Sequence, residues 1–459
     1  MRAAVAAGHA ATSDAGVEIL AEGGTAADAA VAACLASCVA ETVMTGLLGG
    51  GHAIYYDSGT GDVRNLDCFV AVPGLGGERR DGPHVELAIP FGEELVHYAV
   101  GIASCAVPGL PAGLDELWRR HGRLPWKRLV ETALRLARSG VELPPEHASC
   151  LAMLAPVMTM NEGARIYSPG GALLEGGDVL EQPGLAAALE RIEEEGACSV
   201  YSGSLAAALL ALVEERGGLV TREDLEAYRP AWFQPVAAPY AGTTFLTRRG
   251  LSGVPQTLAG FPRVAGLDES RRVLALIEAL GGDAVHGDTT NVAVVDGRGS
   301  ACVMTTSLGL GSGDFLPGFD LHLNSMLGEV ELLRGPLAPG ARMESMMAPS
   351  VAVDREGLAL AAGAAGGSRL RGALLQVVAG VLDEGLDPER SVARPRLHPI
   401  GSLVHLEAGF TPETIAAVAN AGYEPRVWPG RHHYFGGVSI IARSGAAGDP
   451  RRAGAAVVA

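Results

Sequence analysis

Aromatic residues are scarce in this chain, at 5% of 459 positions, and no apolar run approaches the roughly 18 residues that a membrane helix needs. Runs of basic residues are missing too. With a net charge of −17, that argues against nucleic acid or an anionic membrane surface as partner. The seven cysteines (34, 38, 68, 105, 150, 198 and 302) lack any C-x-x-C spacing, which disfavours a zinc site. Their odd number and wide separation speak against a disulfide framework. Segments such as Ala33-Cys34-Leu35 read as cysteine used as a small core residue. The opening Met1-Arg2-Ala3-Ala4-Val5-Ala6-Ala7-Gly8-His9 is too short for a signal-peptide core plus cleavage site, so the expectation is a soluble cytoplasmic enzyme. What the chain does have is 48% hydrophobic residues, 19% charged residues and 63 glycines. That is ample material for a core of closely packed layers, and α/β layers can run to this length as one unit.

Patterning divides the chain into helical and hairpin regions. Thr25-Ala26-Ala27-Asp28 has the shape of a capping box, with Asp in place of Glu, and predicts an Ala-rich helix to about Val39. Gly46-Leu47-Leu48-Gly49-Gly50-Gly51 follows, then a strand-like Ala53 to Asp57 and a turn at Ser58-Gly59. Residues 107–215 read mainly as helices, for example Trp126 to Gly140 and Gly184 to Gly196. The 235–285 region is mixed, with Gly281-Gly282-Asp283 as an exposed loop. Beyond it the pattern turns to hairpins. Val292 to Asp296 and Ala301 to Ser307 flank the turn Asp296-Gly297-Arg298-Gly299. Ser350 to Asp354 and Leu358 to Ala362 flank Arg355-Glu356-Gly357. The Gly/Ala/Arg-rich C-terminus reads as a short low-complexity tail.

Two segments carry chemistry. Gly287-Asp288-Thr289-Thr290-Asn291 opens a buried strand with paired threonines. Taken alone it is a Thr-rich strand start, since threonine is a good strand former. Were the Asp288–Thr289 bond cut, Thr289 would hold a hydroxyl and an α-amine on one residue. Such an amine titrates near pH ~8, so nucleophile and base would come together. Gly363-Ala364-Ala365-Gly366-Gly367-Ser368-Arg369 lies between a strand and an amphipathic helix, Leu370 to Leu386. Backbone N–H groups at such a junction suit an oxyanion or carboxylate. A phosphate loop is the rival reading, but the Lys-Ser/Thr ending and the G-x-G-x-x-G spacing are absent. A tight packing turn is the plainer alternative.

In sum the chain resembles the γ-glutamyltransferase (γ-glutamyl transpeptidase) family of N-terminal-nucleophile hydrolases. The matching pieces are in the family's order: Ala6-Ala7-Gly8-His9, Gly23 to Ala32, Glu41, Thr45 to Gly51, Val107-Pro108-Gly109, Ala112-Gly113-Leu114 and Gly217 to Leu225. The Thr289 segment, Met347-Ala348-Pro349, Gly366-Gly367-Ser368-Arg369 and Pro395-Arg396-Leu397-His398 complete the series. The resemblance implies an α/β fold, a four-layer α-β-β-α sandwich, as one domain over 1–459. Self-cleavage would give fragments 1–288 and 289–459 that stay together as a heterodimer. Thr289 would be nucleophile, Gly366 and Gly367 the oxyanion donors, and Ser307 would stand where the family has an assisting Thr. No metal or organic cofactor is implied.

Departures from the family concentrate in the glutamyl pocket. Phe69 stands where the family has an Arg for the α-carboxylate, and Gly309 where it has an Asn. Gly328 stands for the Asp that holds the α-amine, although Glu329 is adjacent and would serve if the alignment slips. Ser345-Met346-Met347 keeps one hydroxyl of the family's Ser-Ser-Met. Phenylalanine cannot supply a bidentate carboxylate contact. Arg342 and Arg369 are candidate replacement anion binders, equally readable as structural ion-pair residues, while His398, His432 and His433 read as structural. The chain is also shorter than typical members, chiefly near 70–105. Three functions compete: an offshoot acting on a non-glutamyl acyl substrate, as in actinobacterial antibiotic pathways where relatives are assigned to C–C cleavage; an ordinary γ-glutamyl hydrolase or transferase; and an unprocessed, non-enzymatic relative.

Overall fold

The structure, a computed structural model, describes residues 1–77, 82–91, 94–281, 289–334 and 337–459. Gly287 and Asp288, and Gly282-Asp283 of the expected loop, lie outside the described residues.

Two antiparallel sheets face each other. The first runs Ala455–Val458, Ala4–Ala7, Thr290–Val295, Ala301–Ser307, Gly50–Tyr56, Val63–Cys68 and Ala231–Phe233. The second runs Gly445–Ala447, Gly437–Ala442, Gly357–Ala365, Ser350–Asp354, Thr243–Thr247 and Val236–Tyr240. Alternation along the Thr290–Val295 strand sorts its side chains into two cores. Ala293 and Val295 fill the space between the sheets with Ile54, Val303, Val351 and Ile441. Val292 and Val294 turn outward into the core formed with the helices Ala10–Ala21, Ala26–Ala40 and Trp126–Ser139. A strand buried on both faces reads as a continuous apolar run, as this one does. The second sheet is covered by Glu269–Leu280 and Arg369–Leu382 in a third core. Helix, sheet, sheet and helix give the expected four layers.

Local signals account for most of these elements. Thr25 and Asp28 form the reciprocal capping box, and the helix runs Ala26–Ala40 with every residue buried. A helix buried all round has no polar face, and its small side chains let the neighbouring helix approach closely. The hairpins at 290–307 and 350–365 form as expected. Two expectations are corrected. The C-terminal tail is an edge strand, Ala455–Val458, paired with Ala4–Ala7. The helix after the glycine loop ends at Leu382, not Leu386, because Gly385 turns left-handed with φ of 70° and the Glu384 and Leu386 N–H groups fold back onto the Ala379 and Gly380 carbonyls. Among the described residues no single helix is long and apolar enough to cross a membrane.

Candidate active site

Thr289 sits just ahead of its strand. Antiparallel pairing sets Thr290 opposite Thr306, which brings Thr289 level with Ser307. Both are almost fully buried, at 5% exposure each. They share a cavity of about 310 Å³ with Gly367, Glu329 and Ser345. The rest of its wall is apolar: Phe69, Met326, Leu332, Met346, Met347 and Leu370.

Gly366 and Gly367 stand between the end of Gly357–Ala365 and the start of Arg369–Leu382, with φ of 121° and 55°. Both values fall where side chains are strained. The turn they make leaves their N–H groups without a protein acceptor among the described residues. Buried N–H groups are seldom left orphaned, and Gly367 lines the cavity beside Thr289 with Gly366 next to it in the turn.

The pocket departures acquire physical causes. A Cβ on Gly309 would collide with the Glu329 carboxylate and the Ser325 hydroxyl, and φ there is +70°. Glu329, 2% exposed, thus fills the space into which an Asn at 309 would extend. Gly328 is pressed against the Ala99 carbonyl of the hairpin Val85–Phe91/Glu94–Val100, so no side chain fits there. Phe69, 1% exposed, packs with Met326, Met343, Met346 and Met347.

The two arginines offered as anion binders are placed elsewhere. Arg342 donates to the carbonyls of Phe69 and Arg229, at 2.6 Å each, and lies over the Tyr228 ring. Arg369 donates to the Tyr434 carbonyl at 3.0 Å and packs over that ring. Neither lines the cavity. Their guanidinium groups are engaged with backbone carbonyls, which is a structural task. The same holds for the region of His398 and His432, which pack among Tyr434 and Trp428.

Sequence reasoning missed a second cavity. About 290 Å³ in size, it also touches Thr289 and is lined by Glu41, Thr290, His147, Asp449 and Arg452 among others. Glu41 ends the Ala26–Ala40 helix and accepts hydrogen bonds from the hydroxyls of Thr12, at 2.7 Å, and Thr290. Burial pushes its carboxyl up to about 7, against the opposing pull of Thr12, Thr290 and Arg452. Burial likewise pushes His147 down to about 4. Gly8, Glu41, Thr290 and Asn291 stood in motifs legible in the sequence, but nothing there brought them together; Arg452 lay in the supposed tail.

The chain as a whole has known relatives. The family profile Gamma-glutamyltranspeptidase matches residues 12–261 and 266–459. The chain belongs to that family. Among curated relatives, the Acylase ACY 1 proenzyme of Pseudomonas sp. (strain V22) is 28% identical, over 90% of this chain and 85% of its own length. The Glutathione hydrolase 5 proenzyme of Mus musculus is 27% identical, over 88% of this chain and 83% of its own. In fold, the crystal structure of cephalosporin acylase from Bacillus halodurans superposes with a TM-score of 0.82 at 23% identity, covering 99% and 95% of the two chains. This γ-glutamyltranspeptidase-family chain is therefore an enzyme of the N-terminal-nucleophile hydrolase type, an acyl hydrolase or transferase.

Proposed function

We propose that the chain cleaves itself between Asp288 and Thr289 and then uses Thr289 as an N-terminal nucleophile on a non-glutamyl acyl substrate. The released α-amine takes the hydroxyl proton as Thr289 attacks the acyl carbon. The N–H groups of Gly366 and Gly367 hold the oxyanion of the tetrahedral intermediate. The Ser307 hydroxyl, level with Thr289, orients the nucleophile. The leaving group departs with a proton, and water or an amine then takes the acyl group. Strands from the two sides of the cut interleave in the first sheet and pair side by side in the second, so the fragments 1–288 and 289–459 would stay associated as a heterodimer.

One observation carries the substrate assignment: the cavity at Thr289 is walled by Phe69 and Met346, which stand where the family has an Arg and a Ser, together with Met326 and Met347. A free α-carboxylate closed into that wall would lose several kcal/mol of hydration without a partner. The character of this wall matches an apolar acyl group, as a biosynthetic amide or a C–C bond beside a carbonyl would present it. Naming of the Pseudomonas relative as an acylase supports this reading. Glu329 favours the second reading, a γ-glutamyl donor, because its carboxylate is at the wall where an ammonium group could be met.

The test compares γ-glutamyl-p-nitroanilide and glutathione with straight-chain and aromatic acyl amides under identical conditions. The expected result is turnover of the apolar amides with little or none of the glutamyl donors. Efficient glutathione hydrolysis would overturn the substrate assignment and establish the γ-glutamyl reading.

A further inference from the structure

A larger groove lies behind the Phe69 wall. It has a volume of about 1510 Å³ and its lining includes His52, Asn65, Asp67, Arg248 and Arg249. Its floor is the end of the layer between the two sheets. Pairing sets His52 opposite Asp67 and Ile54 opposite Asn65. Since Ile54 and Val63 point into the core between the sheets, His52, Asn65 and Asp67 point to the same side. An apolar layer therefore turns polar where it reaches the groove.

Those polar groups are incompletely used. Asn65, 4% exposed, donates its amide to the Thr247 carbonyl at 3.3 Å, and its Oδ1 is buried without a hydrogen bond. His52, 1% exposed, has Nδ1 at 3.6 Å from Asp67, and its Nε2 is buried without a hydrogen bond. Burial keeps the ring neutral, helped by Arg248 and Arg342. With Nδ1–H turned to the Asp67 carboxylate, Nε2 is an acceptor. Buried acceptors left open cost stability unless something fills them.

The charges complement this. Asp67 is committed to the Phe69 N–H at 2.9 Å and to Arg342 at 3.4 Å. Arg248 spends one nitrogen on the carbonyls of Ser345 and Met347, and among the described residues neither it nor Arg249 is in an ion pair. Glu344 is the other carboxylate, exposed at the rim. The groove thus brings three cations, Arg248, Arg249 and Arg334, together with two unfilled acceptors. It also backs directly onto the reaction cavity: Phe69 stacks on His52 with ring centres 5.5 Å apart.

We propose that this groove binds the amino-carboxylate end of a small molecule, with Arg248 and Arg249 taking the carboxylate and Asn65 and His52 taking an amine or amide N–H. Side-chain rotation of Asn65 and His52 would bring their open acceptors up to the ligand. The assignment stands on the groove alone and is independent of which acyl group Thr289 accepts.

The test is titration of the full Thr289→Ala chain by calorimetry and ligand-observed NMR, so that acyl chemistry plays no part. The probes are L-alanine, glycylglycine, propionate and propylamine. The expected result is saturable binding of the two zwitterions, about tenfold weaker binding of propionate and none of propylamine. Arg248 also buttresses Ser345, so the exposed Arg249→Met carries the cation test and Asn65→Leu the acceptor test. Each should weaken zwitterion binding by about tenfold while circular dichroism stays unchanged. No saturable binding of either zwitterion up to about 50 mM would overturn the proposal. So would affinities untouched by both variants, or propionate binding as tightly as alanine.

Discussion

Two small cavities meet at Thr289, and their linings are opposite in character. One is walled by Phe69, methionines and leucines, with Ser307, Glu329 and Gly367 at its polar points. The other gathers Glu41, Thr290, His147, Asp449 and Arg452. The polar side is anchored by strand pairing, a helix end and the C-terminal segment, so changing it would disturb the core. The apolar wall comes mostly from outside the two sheets: Phe69 and Met346 are in loops, Met326 and Leu332 in short 3-10 turns and Leu370 in a helix. Thr289 borders both cavities, while Ser307 and Gly367 share the apolar one with the residues that would set specificity. A lineage can exchange Phe69, Met326 or Met346 while keeping those three.

The sharpest way to break this comparison is at the residue both cavities share. Thr289→Ala should leave a single full-length species by intact mass and abolish turnover, whereas wild type should show the masses of 1–288 and 289–459. A wild-type chain that stays uncut yet turns over substrate would sink the mechanism. Next in size is Gly367→Pro, which removes an N–H at the reaction cavity and also cannot keep the φ of 55°, so loop distortion adds to any loss. Loss of one oxyanion donor typically lowers kcat by about 10²–10³. Unchanged kcat in a processed variant would reduce the loop to packing.

The polar cavity predicts a pH dependence. Glu41 has its carboxyl raised from 4.5 to about 7 by burial. Between those values the folded chain binds a proton that the unfolded chain has released, so stability falls as pH rises through that window. The full contribution is on the order of 3 kcal/mol, since each unit corresponds to about 1.4 kcal/mol. Glu41→Gln, made in the Thr289→Ala chain to hold processing fixed, should flatten the decline of Tm with pH. An unaltered slope would mean that Glu41 does not titrate there.

The frame of this molecule was legible because it is written locally. Thr25 and Asp28 announce a helix, and Asp296-Gly297 announces a hairpin. Thr289 gained its meaning from motif order, since a Thr-rich strand start looks the same as a nucleophile in isolation. The misses are non-local. Nothing near Arg342 in the chain tells that Phe69 and Arg229 will present carbonyls to it. Nothing near residues 455–458 tells that Ala4–Ala7 offers an open edge. The pairing of Glu41 with Thr290 spans 249 positions and is fixed only when the helix layer docks on the sheet.

The smallest effect is expected at Ser307, where it separates the hydroxyl's function from its shape. Its Oγ accepts the Gly309 N–H at 2.9 Å, so the side chain holds the loop start as well as facing Thr289. Ser307→Thr keeps the oxygen and adds one methyl at a strand end, where a β-branched residue is well accommodated. Turnover should change by less than about threefold, because the hydrogen bond survives. Ser307→Ala removes the acceptor and leaves a buried N–H unpaired, a loss of about 1–3 kcal/mol. That corresponds to roughly a 5- to 150-fold effect if it is felt in the transition state. Comparing kcat for Ser, Thr and Ala at this position decides the matter: equal loss in Thr and Ala would assign Ser307 to packing alone, whereas retention only in Thr marks the oxygen as part of the apparatus.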